Sequence, residues 1–293
     1  PSPSPRPPCH RGPAMVQVEN SPDARPLSGV QGADLVYEYL TEGGITRLTV
    51  IYFHPSGAAR IEPVRSARLI TLRLQSAYQG LVFYSGASDH VQGLIWNRHV
   101  PAIRDDYQHA RFFGRDGARY APHNLFTEGR WLARGQAASA PCTTYTLPPA
   151  GGPDPKGGVP AARVSFAQTP SHLSAFQYRP ALGVYTYSVA DTGVMTDADT
   201  GQPIHVKNLV VIQVAHHSAG YTEDVLGATG IDFDLAGSGP ATVFTAGRRY
   251  AATWSLPDPT RPLQVLDAKG AAFPLPAGLT WISVDDPGTP LTS

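Results

Sequence analysis

The stretch ITRLTVIYFH, residues 45–54, is β-branched and aromatic almost throughout and offers no polar face. A strand of that kind belongs in the middle of a sheet with both faces covered. Whatever the chain folds into must therefore bury this segment on both sides, with Arg47 at its entry.

The neighbouring segments supply the cover. AMVQVEN (14–20) alternates apolar and polar residues and predicts a strand, and SPDARPLSG reads as a loop. GADLVYEYLTEGG places Leu35, Val36, Tyr39 and Leu40 at helical spacing before Gly43-Gly44, which predicts a short helix. RSARLITLRLQSAYQG (65–80) is helical in period, and LVFYSGAS (81–88) reads as a strand and a glycine turn. Together they make a strand-helix-strand unit, in which ligands collect where strands end and helices begin. The SGASDH loop and the start of the Arg65 segment are therefore expected to be neighbours. HVQGLIWNRHV and PHNLFTEGRWLARG read as short helices with loops.

A proline and glycine stretch, TLPPAGGPDPKGGVPAA (146–162), then marks a linker. Beyond it VSFAQ, AFQYRPALGVYTYSV, HVKNLVVIQVAHH, ATVFTAGRRYAATWSL and LTWISV are strand-like runs between glycine or proline turns. The expected fold class is α+β: a mixed α/β domain over 14–145, then a β-rich, mostly antiparallel domain over 163–293. At 293 residues two domains are the natural reading, and the 29 prolines and 29 glycines imply many turns and few helices.

Lys+Arg and Asp+Glu number 23 each, so the formal net charge is zero. That balance argues against a sequence-independent grip on nucleic acid or on an anionic membrane. No run of some 18–20 apolar residues offers a transmembrane helix. PSPSPRPP opens a proline-rich tether over 1–13 and reads as what remains of a processed, exported protein. Cys9 and Cys142 can form one bridge from the tether to the end of the first domain, or be buried small apolar side chains.

Charge is scarce, at 16% of residues, yet EGGITR (42–47) and RIEPVRSAR (60–68) concentrate two glutamates and four arginines. Arginine grips carboxylates and phosphates with two prongs. Arg47, Arg65 and Arg68, with Ser66, can converge on an anion; alternatively Glu38 and Glu42 pair with the same arginines in a closed lattice. SGASDH (85–90) and APHNLF (121–126) carry the residue types of a nucleophilic hydrolase, Ser85 or Ser88 with His123 or His90 and Asp89, but without a G-x-S-x-G elbow. Glu42 with Asp89 or Asp105-Asp106 offers an acid and base pair for sugar chemistry. For a metal the candidates are His90, His123, His216 and His217, whose imidazoles suit copper(II) or zinc; no H-E-x-x-H or Cys-x-x-Cys spacing is present. Tyr37, Tyr39, Phe83, Tyr84, Trp96, Phe112, Phe113 and Trp131 are core aromatics or the lining of a sugar groove.

Taken in order, ENSPDARPLSGVQGADLVYEYLTEGGITRLTVIY, EPVRSAR, APHNLFT, PIHVKNLVVIQV, GPATVFTAGRRYAATWSL and LPAGLTWISV resemble the YerB-like family, bacterial proteins classed as lipoproteins. The resemblance covers most of the chain after the tether and implies an exported envelope protein with a mixed α/β domain and a β-rich domain. It implies no established activity. A lipoprotein carries its acylated cysteine at the mature N-terminus, whereas Cys9 follows eight residues with no apolar run, so no lipid is expected on it. The functional expectation is an extracytoplasmic, cell-envelope binding or assembly protein. Its polar pocket, of Glu42, Arg47, Arg65, Ser66, Arg68, Ser88 and His123, takes an anionic ligand or an envelope partner. The alternative is a copper site with redox activity such as superoxide dismutation.

Overall fold

The computed structural model describes residues 9–57, 59–145 and 151–293. PSPSPRPP of the expected tether and residues 146–150 of the expected linker lie outside the described residues. Counting strands of three residues or more, the first half contains β1 (Ala14–Glu19), β2 (Leu35–Leu40), β3 (Thr46–Tyr52), α1 (Leu69–Tyr78), β4 (Leu81–Tyr84), α2 (Asp89–Asn97), β5 (Ala102–Arg104), β6 (Leu125–Glu128) and α3 (Gly129–Ser139). The second half contains β7 (Arg163–Thr169), β8 (His172–Arg179), β9 (Val184–Val189), β10 (Asn208–Gln213), β11 (His216–Thr222), β12 (Thr229–Phe233), β13 (Gly237–Thr245), β14 (Arg248–Leu256), β15 (Gln264–Leu266) and β16 (Thr280–Asp285).

Most of these strands join one sheet in the order β15-β14-β13-β10-β16-β2-β3-β1-β4-β5, with a two-residue strand, Val159–Pro160, added on β14. The second half thus contributes five consecutive strands and the first half the other five. The seam is the parallel pair β2 and β16, in register from Leu35 with Thr280 to Tyr39 with Val284. β3 lies between β1 and β2, antiparallel to both, and all seven of its residues are buried, as ITRLTVIYFH requires.

Two cores cover the two faces of this sheet. On one face Val16, Leu48, Val50, Phe83, Leu209 and Trp281 pack against α3 and against a smaller sheet, β7-β8-β9, through Leu132, Phe176 and Tyr187. On the other face Met15, Tyr37, Tyr39, Ile51, Val210 and Ile282 pack against α1 and α2 through Ile70, Leu74, Val91 and Ile95. A third, two-stranded piece, the hairpin β11-β12, folds back over α1. No helix among the described residues is long and apolar enough to cross a membrane.

One element departs from the sequence expectation. Residues 35–40 form a strand, not a helix, and Glu42–Gly44 is a 3-10 turn in which Gly43 and Gly44 take φ of 75° and 70°. A segment buried on both faces shows no alternation, so its apolar residues imitated a helical stripe; the β-branched and aromatic content of LVYEYL carried the better signal. Cys9 and Cys142 form a disulfide with Cα atoms 5.3 Å apart, tying residue 9 to the end of the first half. In this fold the Cys9 thiol is not free to carry a lipid.

Candidate functional site

The carboxyl ends of the three parallel strands β1, β4 and β5 meet at one edge of the sheet, the place where such arrangements leave a crevice. The expected neighbours are here. Ser85 N–H donates to the Arg65 carbonyl at 3.0 Å, Ala67 N–H to the Gly86 carbonyl at 3.0 Å, and Ser66 Oγ–H to the Ser85 carbonyl at 3.1 Å. Gly86 sits at φ 80°, and a Cβ there would stand 3.3 Å from Ser66 Oγ, so the close crossing of these two segments depends on glycine.

Glu19, the last residue of β1, organises this edge. Its Oε1 accepts from Ser21 Oγ at 3.0 Å, and its Oε2 lies 2.9 Å from His123 Nδ1 and 3.1 Å from Arg65 Nε. The Arg65 contact is an ion pair without hydrogen-bond alignment. With Nδ1 facing Glu19, the His123 Nε2 edge is turned away from the carboxylate. The Arg65 side chain is 27% exposed, and its two Nη groups make no hydrogen bond or ion pair among the described residues. His123 also borders an open cleft of about 270 Å3 with Asp23, Arg25, Pro26, Ala118, Arg119 and Tyr120. The two cleft arginines are committed elsewhere: Arg25 to Asp191 at 2.6 Å and the Asn20 carbonyl at 2.7 Å, Arg119 to the carbonyls of Ala24 and Pro26.

The remaining arginines are closed in. Arg68 grips Glu42 with Nε, at 2.9 Å, and with Nη2, while its Nη1 donates to the Ala67 carbonyl at 3.0 Å and lies 3.3 Å from Glu223 Oε1. Burial alone would raise the Glu42 carboxyl; the Arg68 hydrogen bond and the charges of Arg47 and Arg68 hold it below the usual range. Arg47 is 2% exposed, donates from Nη1 to the Ser66 carbonyl at 3.0 Å, and leaves Nε without a partner. Burial, reinforced by the like charge of Arg68, lowers its guanidinium to about 10. Next to it Gln17 Oε1 accepts from Tyr39, Thr49 and Thr71 hydroxyls at 2.9, 3.1 and 2.8 Å, so this face of the sheet is polar beneath the start of α1.

Glu38 does not join these arginines. In a helix Glu38 and Glu42 would share a face, but in a strand Glu38 points opposite to Tyr37 and Tyr39, into the other core. There it is fully buried and takes His172 Nε2 at 2.9 Å and hydrogen bonds from Asn20, Thr46 and Trp281, each at 2.9 Å, and from Tyr187 at 3.2 Å. Burial pushes its carboxyl up, but the His172 hydrogen bond and charge, with Thr46 and Trp281, outweigh that and hold it below the ordinary value. Arg25 Nη2 lies 3.2 Å from His172 Nδ1, on the other ring nitrogen from the one that meets Glu38.

Several candidates are placed apart. Ser88 caps α2, accepting from Val91 N–H at 3.3 Å, and Ser85 Oγ–H donates to Asp105 at 3.3 Å. Neither serine hydrogen-bonds a histidine among the described residues. His90 stacks on Tyr221 with centroids 4.2 Å apart, His216 pairs with Asp286 at 2.6 Å and His217 with Asp234 at 3.5 Å. Each imidazole thus has its own neighbour, and no three His, Cys, Asp or Glu side chains among the described residues gather around a metal position. The copper reading has no ligand set here. Sequence reasoning missed Glu19, His172, Glu223 and Trp281. Only Glu19, beside the punctuating SPDARPLSG loop, carried a local signal, as a charge ending an apolar strand.

Comparison with known proteins agrees with this architecture. Residues 3–142 match the family described as protein of unknown function (DUF3048), N-terminal domain, and residues 162–282 match its C-terminal domain. The chain is 28% identical over 296 residues to a Bacillus subtilis (strain 168) protein described as "Putative lipoprotein YerB", covering 94% of this chain and 81% of that one. A crystal structure of YerB protein from Bacillus subtilis shares the fold with a TM-score of 0.75 at 24% identity, over 97% of this chain and 94% of that chain.

Proposed function

The chain belongs to the DUF3048 family across both of its domains, and from that premise we propose that it is an exported, cell-envelope-associated binding or assembly protein. Its open edge takes an anionic group of an envelope component or envelope protein, and the β-rich second domain serves docking. The observation that carries the reading is the way Glu19 holds His123 and Arg65 together while the Arg65 Nη groups keep their donors free at the surface. A guanidinium fixed through Nε and open at Nη is preorganised for a carboxylate or phosphate. The lipoprotein relative and the disulfide, which fits an oxidising compartment, support an extracytoplasmic place.

Arg65→Gln, which removes the charge and the two Nη donors but keeps a polar side chain, tests it. Loss of a charge-assisted contact should weaken capture of the bound envelope fraction by about tenfold or more. Unchanged capture of every fraction by a folded Arg65→Gln protein would sink the proposal. The two-pronged pairing of Arg68 with Glu42 favours a second reading for that part of the cluster, an internal strut of the first half.

A further inference from the structure

The hairpin β11-β12 is held to the body by polar contacts. Arg73 of α1 grips Asp232 in two bonds of 2.9 and 2.7 Å, Tyr221 stacks on His90, and Glu223 reaches Arg68. Phe233 joins the core, Tyr221 and Ile231 pack against it, and a cavity of about 10 Å3, room for one water, remains between Ile231, Phe233 and Leu40, Glu42 and Arg68. Water and salt compete for the outer of these contacts, the Arg73 and Asp232 pair, whose side chains are 40% and 19% exposed.

What the hairpin covers is poorly satisfied. Glu223 is 5% exposed; Tyr221 O–H donates to its Oε2 at 2.6 Å, but Oε1 makes no hydrogen bond although it faces Arg68 Nη1. Arg47, within Coulombic reach of Arg68, leaves Nε unpaired while almost wholly buried. A carboxylate that touches a cation at 3.3 Å without alignment, beside a second guanidinium short of one acceptor, is a poor fit for a permanent ion pair.

We propose that β11-β12 is a displaceable lid over an anion site, in which Glu223 occupies the place on Arg68 that a ligand carboxylate takes when the hairpin lifts. A carboxylate is favoured because Glu42 and Glu223, the groups that now meet Arg68, are carboxylates. Its source is a peptide C-terminus or a uronic acid. The inference rests on the proposed anion-binding role of this arginine cluster and adds to it a second, covered site, which the second half closes with its own side chain.

The test uses the full chain and Glu223→Gln, which keeps the Tyr221 hydrogen bond and removes the competing charge. Calorimetric titration uses acetyl-alanyl-alanine, its amide, and glucuronate. The expected result is binding of the dipeptide acid or of glucuronate at least tenfold tighter in Glu223→Gln than in the parent, none of the amide, and loss of the gain in Glu223→Gln/Arg68→Gln. Hydrogen exchange in residues 216–233 should accelerate by a similar factor. Equal affinities for both acids in parent and variant overturn the lid, and faster exchange without tighter binding makes the hairpin a structural strap alone. Carboxylate binding that is lost in Arg65→Gln but indifferent to Glu223→Gln leaves the open edge standing and overturns only the lid.

Discussion

Asp285 ends β16 with its side chain buried, Oδ1 accepting from Ser283 Oγ at 3.0 Å and Oδ2 unpartnered. Burial, with the Glu38 and Asp286 charges adding to it, pushes this carboxyl up to about 7. In the unfolded chain it would titrate near 3.9. The folded state therefore binds the proton more tightly, and stability falls as pH rises between those values, by up to about 4 kcal/mol once the group is ionised. Asp285→Asn should be the more stable protein above pH 7 and lose most of that slope. Denaturant midpoints measured from pH 4 to 8 check it, and parallel profiles for parent and variant would refute it. Glu38 has the opposite sign for an understandable reason: five donors meet its carboxylate, whereas Asp285 has one.

At the scale of elements, two helical glycines separate packing from propensity. A Cβ on Gly135 of α3 would lie 2.7 Å from Phe83 Cζ and 2.9 Å from Ile103 Cδ1, while one on Gly93 of α2 meets nothing within 4 Å. Alanine gains about 1 kcal/mol of helix propensity at either site, but overpacking at Gly135 costs about 1–3 kcal/mol. Gly93→Ala should raise the melting temperature and Gly135→Ala lower or at best hold it, as thermal unfolding followed by circular dichroism will tell. Much at this scale was legible in the sequence: β1, β3, α1, β4 and the β8-β9 and β13-β14 hairpins stand where periodicity and turns put them. β2 was misread because double-sided burial erases the alternation that marks a strand. The closed lattice expected of Glu38 and Glu42 on the same arginines holds for Glu42 alone, since the strand sends Glu38 into the other core. The Arg68 and Glu42 pair and the meeting of SGASDH with the Arg65 segment were readable from residue type and motif order. The partners Glu19, His172 and Glu223 were not, because each reaches its contact across the fold rather than along the chain.

For the molecule as a whole, the shift in composition after residue 145 marked a change of character but gave no hint that the sheet continues across it. Ten backbone-paired residues at the β2 and β16 seam, and Trp281 and His172 on Glu38, bind the halves together. Unfolding should consequently be one cooperative transition, with tryptophan emission and far-ultraviolet dichroism coincident. Two resolved transitions would show that the halves keep separate stabilities.

The same seam imposes an order in time. Glu38 and Trp281 are 243 residues apart in the chain, and β16 enters the sheet between β2 and β10, both made long before it. While the polypeptide is being synthesised, β2 stays a bare edge until residues 280–285 arrive, and loop closure over such a span is slow. A chain that completes its central sheet last therefore carries an unpaired strand edge for most of its synthesis, open to pairing with another chain until β16 covers it.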